Sequence, residues 1–216
     1  MNIINNPTFK KVIGILVSVF ILSIAYYGTY LPLRKSQAFI DSLKNLNSVN
    51  SLTAIEQELS GPLNMPSPIG KEELVRNVAN IFLSSLQQNN DPKAIDEIVG
   101  YVEKNFQPIV DYGRGMSFEQ NMYILGAINE FAFVKTHDAK FLEASQRYYE
   151  RGLELGPNRP QFLYGMFDIY RIEGNVEGAK TIASKILSQW PDDTRTQEGL
   201  AQFLSTVQNA TASKSK

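Results

Sequence analysis

The sequence predicts an all-helical chain in which one apolar N-terminal helix precedes a stack of short helix pairs, and three observations carry that prediction. Val12 to Leu33 contains no charged residue. Beyond it, apolar residues recur at helical spacing, and no segment alternates with period two for long enough to make a strand. Pro157 and Pro191, each between two amphipathic stretches, stand thirty-four residues apart.

Composition excludes several function classes. The 216 residues are 43% hydrophobic and 20% charged, as in an ordinary globular protein, so disorder is not expected. Twenty-one basic against 22 acidic residues leave a net charge of −1 and no broad positive field to hold a phosphate backbone, so nucleic acid is not an expected partner. The absence of cysteine removes disulfides, thiolate metal sites and a cysteine nucleophile. A single histidine, His137, leaves no histidine-rich metal cluster. Neither a catalytic constellation nor a cofactor or metal site is expected, and the chain reads as a binding protein rather than an enzyme.

Residues 1–11 form a polar N-terminal segment and 12–33 a transmembrane helix, VIGILVSVFILSIAYYGTYLPL. Its helical rise of about 33 Å matches the roughly 30 Å of bilayer hydrocarbon. Tyr26, Tyr27 and Tyr30 fall where amphipathic rings sit at headgroup level, and Pro32 is expected to end the helix. The lipid bilayer is thus the expected partner of Val12 to Leu33, in a single-pass membrane protein. Lys10, Lys11 and the small residues of Ser23-Ile24-Ala25 also fit a cleavable signal peptide, with a mature chain starting at Tyr26. A buried core helix fits less well, because the run lacks a polar face. Lys10 and Lys11 are balanced by Arg34, Lys35 and Lys44, so basic residues leave the orientation open.

Residues 34–69 read as an amphipathic stalk followed by a Pro-rich hinge. Ala38, Phe39, Leu43 and Leu46, then Leu52, Ile55 and Leu59, keep helical spacing around a break or hairpin turn at Asn47 to Asn50. The prolines of Gly61 to Pro68 are expected to stop the helix. Residues 70–116 read as a helical pair, the first helix carrying Leu74, Val78, Ile81, Phe82 and Leu86. The second starts at Asp91-Pro92, a capping carboxylate followed by a first-turn proline, and turns Ile95, Ile98, Val99, Val102 and Phe106 inward.

Residues 117–208 carry the repeat signal, and 209–216 read as a polar tail that frays. Ser117-Phe118-Glu119-Gln120 has the pattern of a capping box, and Asp138 is placed to open a partner helix after a loop from Lys135 to Lys140 longer than a repeat requires. The thirty-four-residue proline spacing is the period of the tetratricopeptide repeat. A unit starting at Pro160 puts Tyr170 late in its first helix, Gly174 in the turn and Ala179 where two helices pass closely. The preceding unit offers Tyr149 as aromatic filler and small Ser145 and Gly152 at close-contact positions. The following unit has Leu200-Ala201 in a closing helix over 192–208. Phe167, Ala183 and Ile186 depart from the usual residue types, and Phe167 is expected to fill the space that Ala183 leaves. The fold class is therefore a single transmembrane helix followed by an α-solenoid of tetratricopeptide-like helix pairs.

The stretch FLEASQRYYERGLELGPNRPQFLYGMFDIYRIEGNVEGAKTIASKILSQWPDD, residues 141–193, resembles the tetratricopeptide tail that follows the last membrane helix in bacterial O-antigen ligase and polymerase family proteins. The order of parts is also similar: a final span, a Pro-interrupted exit, an amphipathic stalk, then repeats. The resemblance covers most of the chain but only the non-catalytic tail of those proteins. Their many membrane helices and large basic, histidine-bearing external loop have no counterpart in this sequence, so no catalytic residue carries over. It implies a bacterial inner-membrane setting near cell-envelope polysaccharide assembly. This chain is then either a free-standing scaffold or a C-terminal fragment of such an enzyme.

Several motifs have plain structural readings. His137-Asp138 suits a loop residue and a helix cap better than an acid–base pair. Gly113-Arg114-Gly115 lacks the strand and the Lys-Ser/Thr of a phosphate loop. The acidic pairs Glu72-Glu73, Glu56/Glu58 and Asp192-Asp193 suit helix starts and solvated faces. The functional expectation is a concave groove made by the first helix of each pair. Gln120, Tyr123 and Glu130, then Gln161, Tyr164, Asp168 and Arg171, then Arg195, Glu198 and Gln202 are its expected protein-binding residues. Their mix of tyrosine and charge suits an extended peptide or a neighbouring protein's loop. Composition does not specify an oligomeric state.

Overall fold

The computed structural model describes residues 7–46, 51–115 and 117–214. All regular structure among the described residues is helical: α1 (Pro7–Ala25), a π-helical turn (Tyr26–Tyr30), α2 (Leu31–Leu46), α3 (Leu52–Asn64), α4 (Lys71–Gln88), α5 (Pro92–Tyr112), α6 (Phe118–Thr136), α7 (Ala139–Leu155), α8 (Pro160–Ile172), α9 (Val176–Gln189) and α10 (Thr194–Lys214). The chain forms two compact units, Met1–Val78 and Ala79–Lys216.

In the first unit, α1 buries none of its side chains, and Ile15, Leu16, Phe20 and Leu22 are all more than 60% exposed. Its helix starts at Pro7, inside the segment expected to be merely polar. Pro32 does not end the helix. It lacks the N–H that would bond to the carbonyl of Gly28, and its ring would crowd that carbonyl. The five residues Tyr26–Tyr30 instead wind as a π turn, closed by the Leu31 N–H on the Tyr26 carbonyl, and the wider turn carries the helix past the proline to Leu46.

Pro62 was likewise expected to break a helix, yet α3 runs through it to Asn64 and stops only at Met65. A proline at 62 leaves the Glu58 carbonyl without its intrahelical donor, and the Ser42 hydroxyl of α2 donates to that oxygen at 2.9 Å. Pro62 packs inside the α2–α3 hairpin with Phe39, Leu59 and Leu63, all buried. The turn at Asn47 to Asn50 lies outside the described residues. Lys35, only 3% exposed, extends its ammonium to the Met65 carbonyl at 3.0 Å, where the C-terminal end of α3 attracts a cation.

In the second unit, α5 to α10 pack each on the next in sequence, and α6 also meets α8. Asp91 caps α5 through the Lys93 N–H, Pro92 sits at the first helical position, and Ile95, Ile98, Val99, Val102 and Phe106 are buried. Glu103 of α5 accepts from Asn129 of α6 at 3.0 Å and from Tyr148 of α7 at 3.3 Å, which ties three helices together. Gly113 ends α5 in the left-handed region at φ 67°, so Gly113-Arg114-Gly115 is part of an interhelix turn.

Two local expectations around α6 and α7 are met differently. Ser117 precedes α6 at ψ 8° and makes no side-chain cap, because that backbone does not turn its hydroxyl over the first free amides. The long loop over Lys135 to Lys140 shrinks to His137 and Asp138, the extra residues being absorbed into the helices. His137 takes the left-handed conformation that closes α6, and Asp138 caps α7 through the Lys140 N–H at 3.1 Å. Gly174, at φ 71°, makes the α8–α9 turn. Phe167 and Ala183 share one buried cluster with Leu163, Ala179, Ile186 and Phe203. The last helix runs from Thr194 to Lys214, past the expected end at 208. Its Thr206 and Thr211 hydroxyls bond to carbonyls four residues back, and 209–214 continue the helix.

Candidate functional site

A groove crosses α6, α8 and α10, and three adjoining hollows of about 360 to 380 Å³ each make it up. The first holds Gln120, with Tyr123 and Gln161 shared with the central hollow. The central one is walled by Tyr164 and Arg195, with Glu130 and Asp168 shared with the third. The third adds Arg171 and Gln202. Of the expected groove residues only Glu198 is absent. Gly199, one residue on, faces α8, where an added Cβ would lie 3.4 Å from the Phe167 ring, and Glu198 is turned to solvent.

Tyr149 of α7 forms the floor. A Cβ on Gly126 of α6 would come within 2.3 Å of its ring and one on Gly165 of α8 within 2.4 Å, so both positions must be glycine for the ring to sit between the two helices. The hydroxyl donates to Glu130 Oε2 at 2.7 Å. Burial pushes the phenol far above its usual range, and the Glu130 carboxylate adds to that shift. Glu130 itself titrates above the ordinary carboxylate value. Burial is the main cause and Asp168 adds to it, against smaller opposing effects of Tyr149 and Arg195.

Asp168 collects the groove's cations. Arg171, one turn along α8, approaches it at 3.1 Å, and Arg195 of α10 at 3.6 Å. The Arg171 guanidinium lies 5.3 Å from the Phe167 ring centroid, and its Nε is buried without a hydrogen-bond partner. Arg195 is 76% exposed, with its guanidinium 5.6 Å from the Tyr164 ring centroid. Tyr164 is held on its other contacts by Trp190, stacked at 6.4 Å, and by Asp193, which accepts its hydroxyl at 2.8 Å. Asp193 also accepts from Thr196 at 2.6 Å, and these hydrogen bonds, Thr196's first, hold its carboxyl below the usual range. At the other end Glu119 pairs with Arg159 at 2.5 Å.

No protein-family model matches the chain, nor does a curated protein or a solved structure. The chemistry available to the groove is accordingly read from its own residues. Partly exposed tyrosine faces stand beside carboxylates and guanidiniums that have spare hydrogen-bonding capacity, an arrangement suited to holding an extended segment. The sequence pattern placed Tyr149 only as packing and Phe131 only on an apolar face, and it did not single out Gly126, Gly165 or Val134. The available signal was a glycine inside each of two helices, where it costs roughly 1 kcal/mol against alanine unless something must come close.

Proposed function

We propose that this chain is a membrane-anchored scaffold whose helix pairs form a tetratricopeptide-like solenoid and whose groove binds a segment of another protein. The groove itself carries the reading: the tyrosines and charges of α6, α8 and α10 meet along one continuous face. Sequential packing of α5 to α10, the contact of α6 with α8, and Ala179 and Ala183 at close approach support the solenoid.

The anchor rests on α1. Its apolar side chains have no cover, and the hydroxyls of Ser18 and Ser23 donate to carbonyls one turn back, so neither is left unmet for hydrocarbon to penalise. Anchoring raises the groove's effective concentration near membrane-bound partners. The resemblance of residues 141–193 makes bacterial cell-envelope polysaccharide assembly at the inner membrane the proposed setting. The same order of parts supports a second reading, the non-catalytic tail of an O-antigen ligase-type enzyme, which an adjoining multi-span reading frame would favour.

A photo-crosslinking residue at Tyr123, in the groove, and another at Glu177, on exposed α9, test the binding face in the full-length protein in native membranes. The groove position is expected to capture a discrete protein and Glu177 none. Equal capture by the two positions would reject the groove.

A further inference from the structure

The central hollow already contains a guanidinium belonging to the protein itself. Arg195 reaches in from the first turn of α10, with its charge beside Asp168 and close to the Tyr164 ring, yet most of the side chain stays in water and the ion pair spans 3.6 Å. An exposed pair of that length contributes little and exchanges easily. Glu130, on the facing helix, has the Tyr149 hydroxyl as its partner and, among the described residues, no cation within ion-pair distance. Two carboxylates thus look into a hollow bordered by Tyr123, Tyr149 and Tyr164: Asp168 has Arg171 on Oδ1 and the loosely held Arg195 on Oδ2, and Glu130 has neither.

We infer that the groove's occupant is a basic segment, and that one of its arginine side chains takes the place Arg195 now fills between Asp168, Glu130 and Tyr164. This deepens the proposed function and rests on it. A planar guanidinium can bond to carboxylates through its edges while an aromatic ring meets its face, and the hollow supplies both kinds of contact. Arg171 holds Asp168 Oδ1 from within α8, with its guanidinium against Phe167, and leaves Oδ2, the oxygen Arg195 faces, to the occupant. An acidic segment would set its carboxylates against Glu130 and Asp168, and like charges so placed select against a partner.

The test uses the full-length protein in neutral detergent micelles and three peptides: acetyl-Gly-Arg-Gly-Arg-Gly-amide, its neutral citrulline counterpart and its glutamate counterpart. Binding is followed by calorimetry and by the fluorescence of Trp190, the one tryptophan, which stacks on Tyr164. The arginine peptide is expected to bind about tenfold tighter than the citrulline peptide, to lose about that factor in Glu130→Gln, and to bind more tightly in Arg195→Ala, where the resident competitor is gone. Weaker binding of the arginine peptide in Arg195→Ala, or preference for the citrulline or glutamate peptide, would overturn the basic occupant and leave the groove standing. Failure of all three peptides to bind would remove the groove reading as well.

Discussion

Glu130 is where a single proton is coupled to stability. Its neighbours are Tyr149, Asp168 and Arg195, and burial raises its folded-state pKa above the ordinary 4.5. As pH rises from 4.5 through that elevated value, the unfolded chain releases this proton before the folded one does, so the wild type loses stability across the window. Glu130→Gln keeps an oxygen for the Tyr149 hydroxyl and removes the titration. Its melting temperature relative to wild type is therefore expected to be higher at pH 7 than at pH 4, and an equal offset at both would refute the assignment. The glycines beside Tyr149 give a second prediction. Gly165→Ala drives a methyl into the ring and should destabilise the fold by about 1 to 3 kcal/mol, measured by thermal or denaturant unfolding, as overpacked cores do. The thirty-four-residue offset made part of the groove legible, since it carries Gln161 and Asp168 of α8 onto Arg195 and Gln202 of α10, although it also carries Tyr164 onto Glu198, which is turned to solvent. The Tyr149–Glu130 bond was not legible, since it spans nineteen residues and depends on two glycines that show their purpose only once helices meet.

The helices themselves were largely legible and their ends were not. Apolar spacing located α4 to α10, and the caps at Asp91 and Asp138 follow from residue type alone. Pro32 and Pro62 misled because a local rule ignores what the surroundings can supply: a widened turn in one case, a hydroxyl from the adjacent helix in the other. The second case can be tested by a double-mutant cycle. Ser42→Ala should cost about 1 kcal/mol in the parent, where it orphans the Glu58 carbonyl. In a Pro62→Ala background the restored amide can serve that carbonyl, and the cost should shrink. Identical costs in both backgrounds would show that the hydroxyl is not a substitute donor.

For the whole molecule, the proposed anchor is α1, a helix long and apolar enough to cross a membrane. If α1 lies in lipid, the full-length chain should remain in the membrane pellet after an alkaline carbonate wash. Leu16→Arg with Phe20→Arg should release it, since each arginine at the centre of a span costs about 2.5 to 3.5 kcal/mol. Release of the unaltered chain, or retention of the doubly charged one, would defeat the anchor. Composition made this helix conspicuous, but could not reveal that it continues into α2 through a π turn. From Pro7 to Leu46 the backbone is one continuous helix, and α3 is clasped to its far end by Lys35 and Ser42. No break in the helical backbone separates the greasy half from the part that holds α3. Turning that half about its long axis would swing α3 around with it, as a key's bow turns its bit.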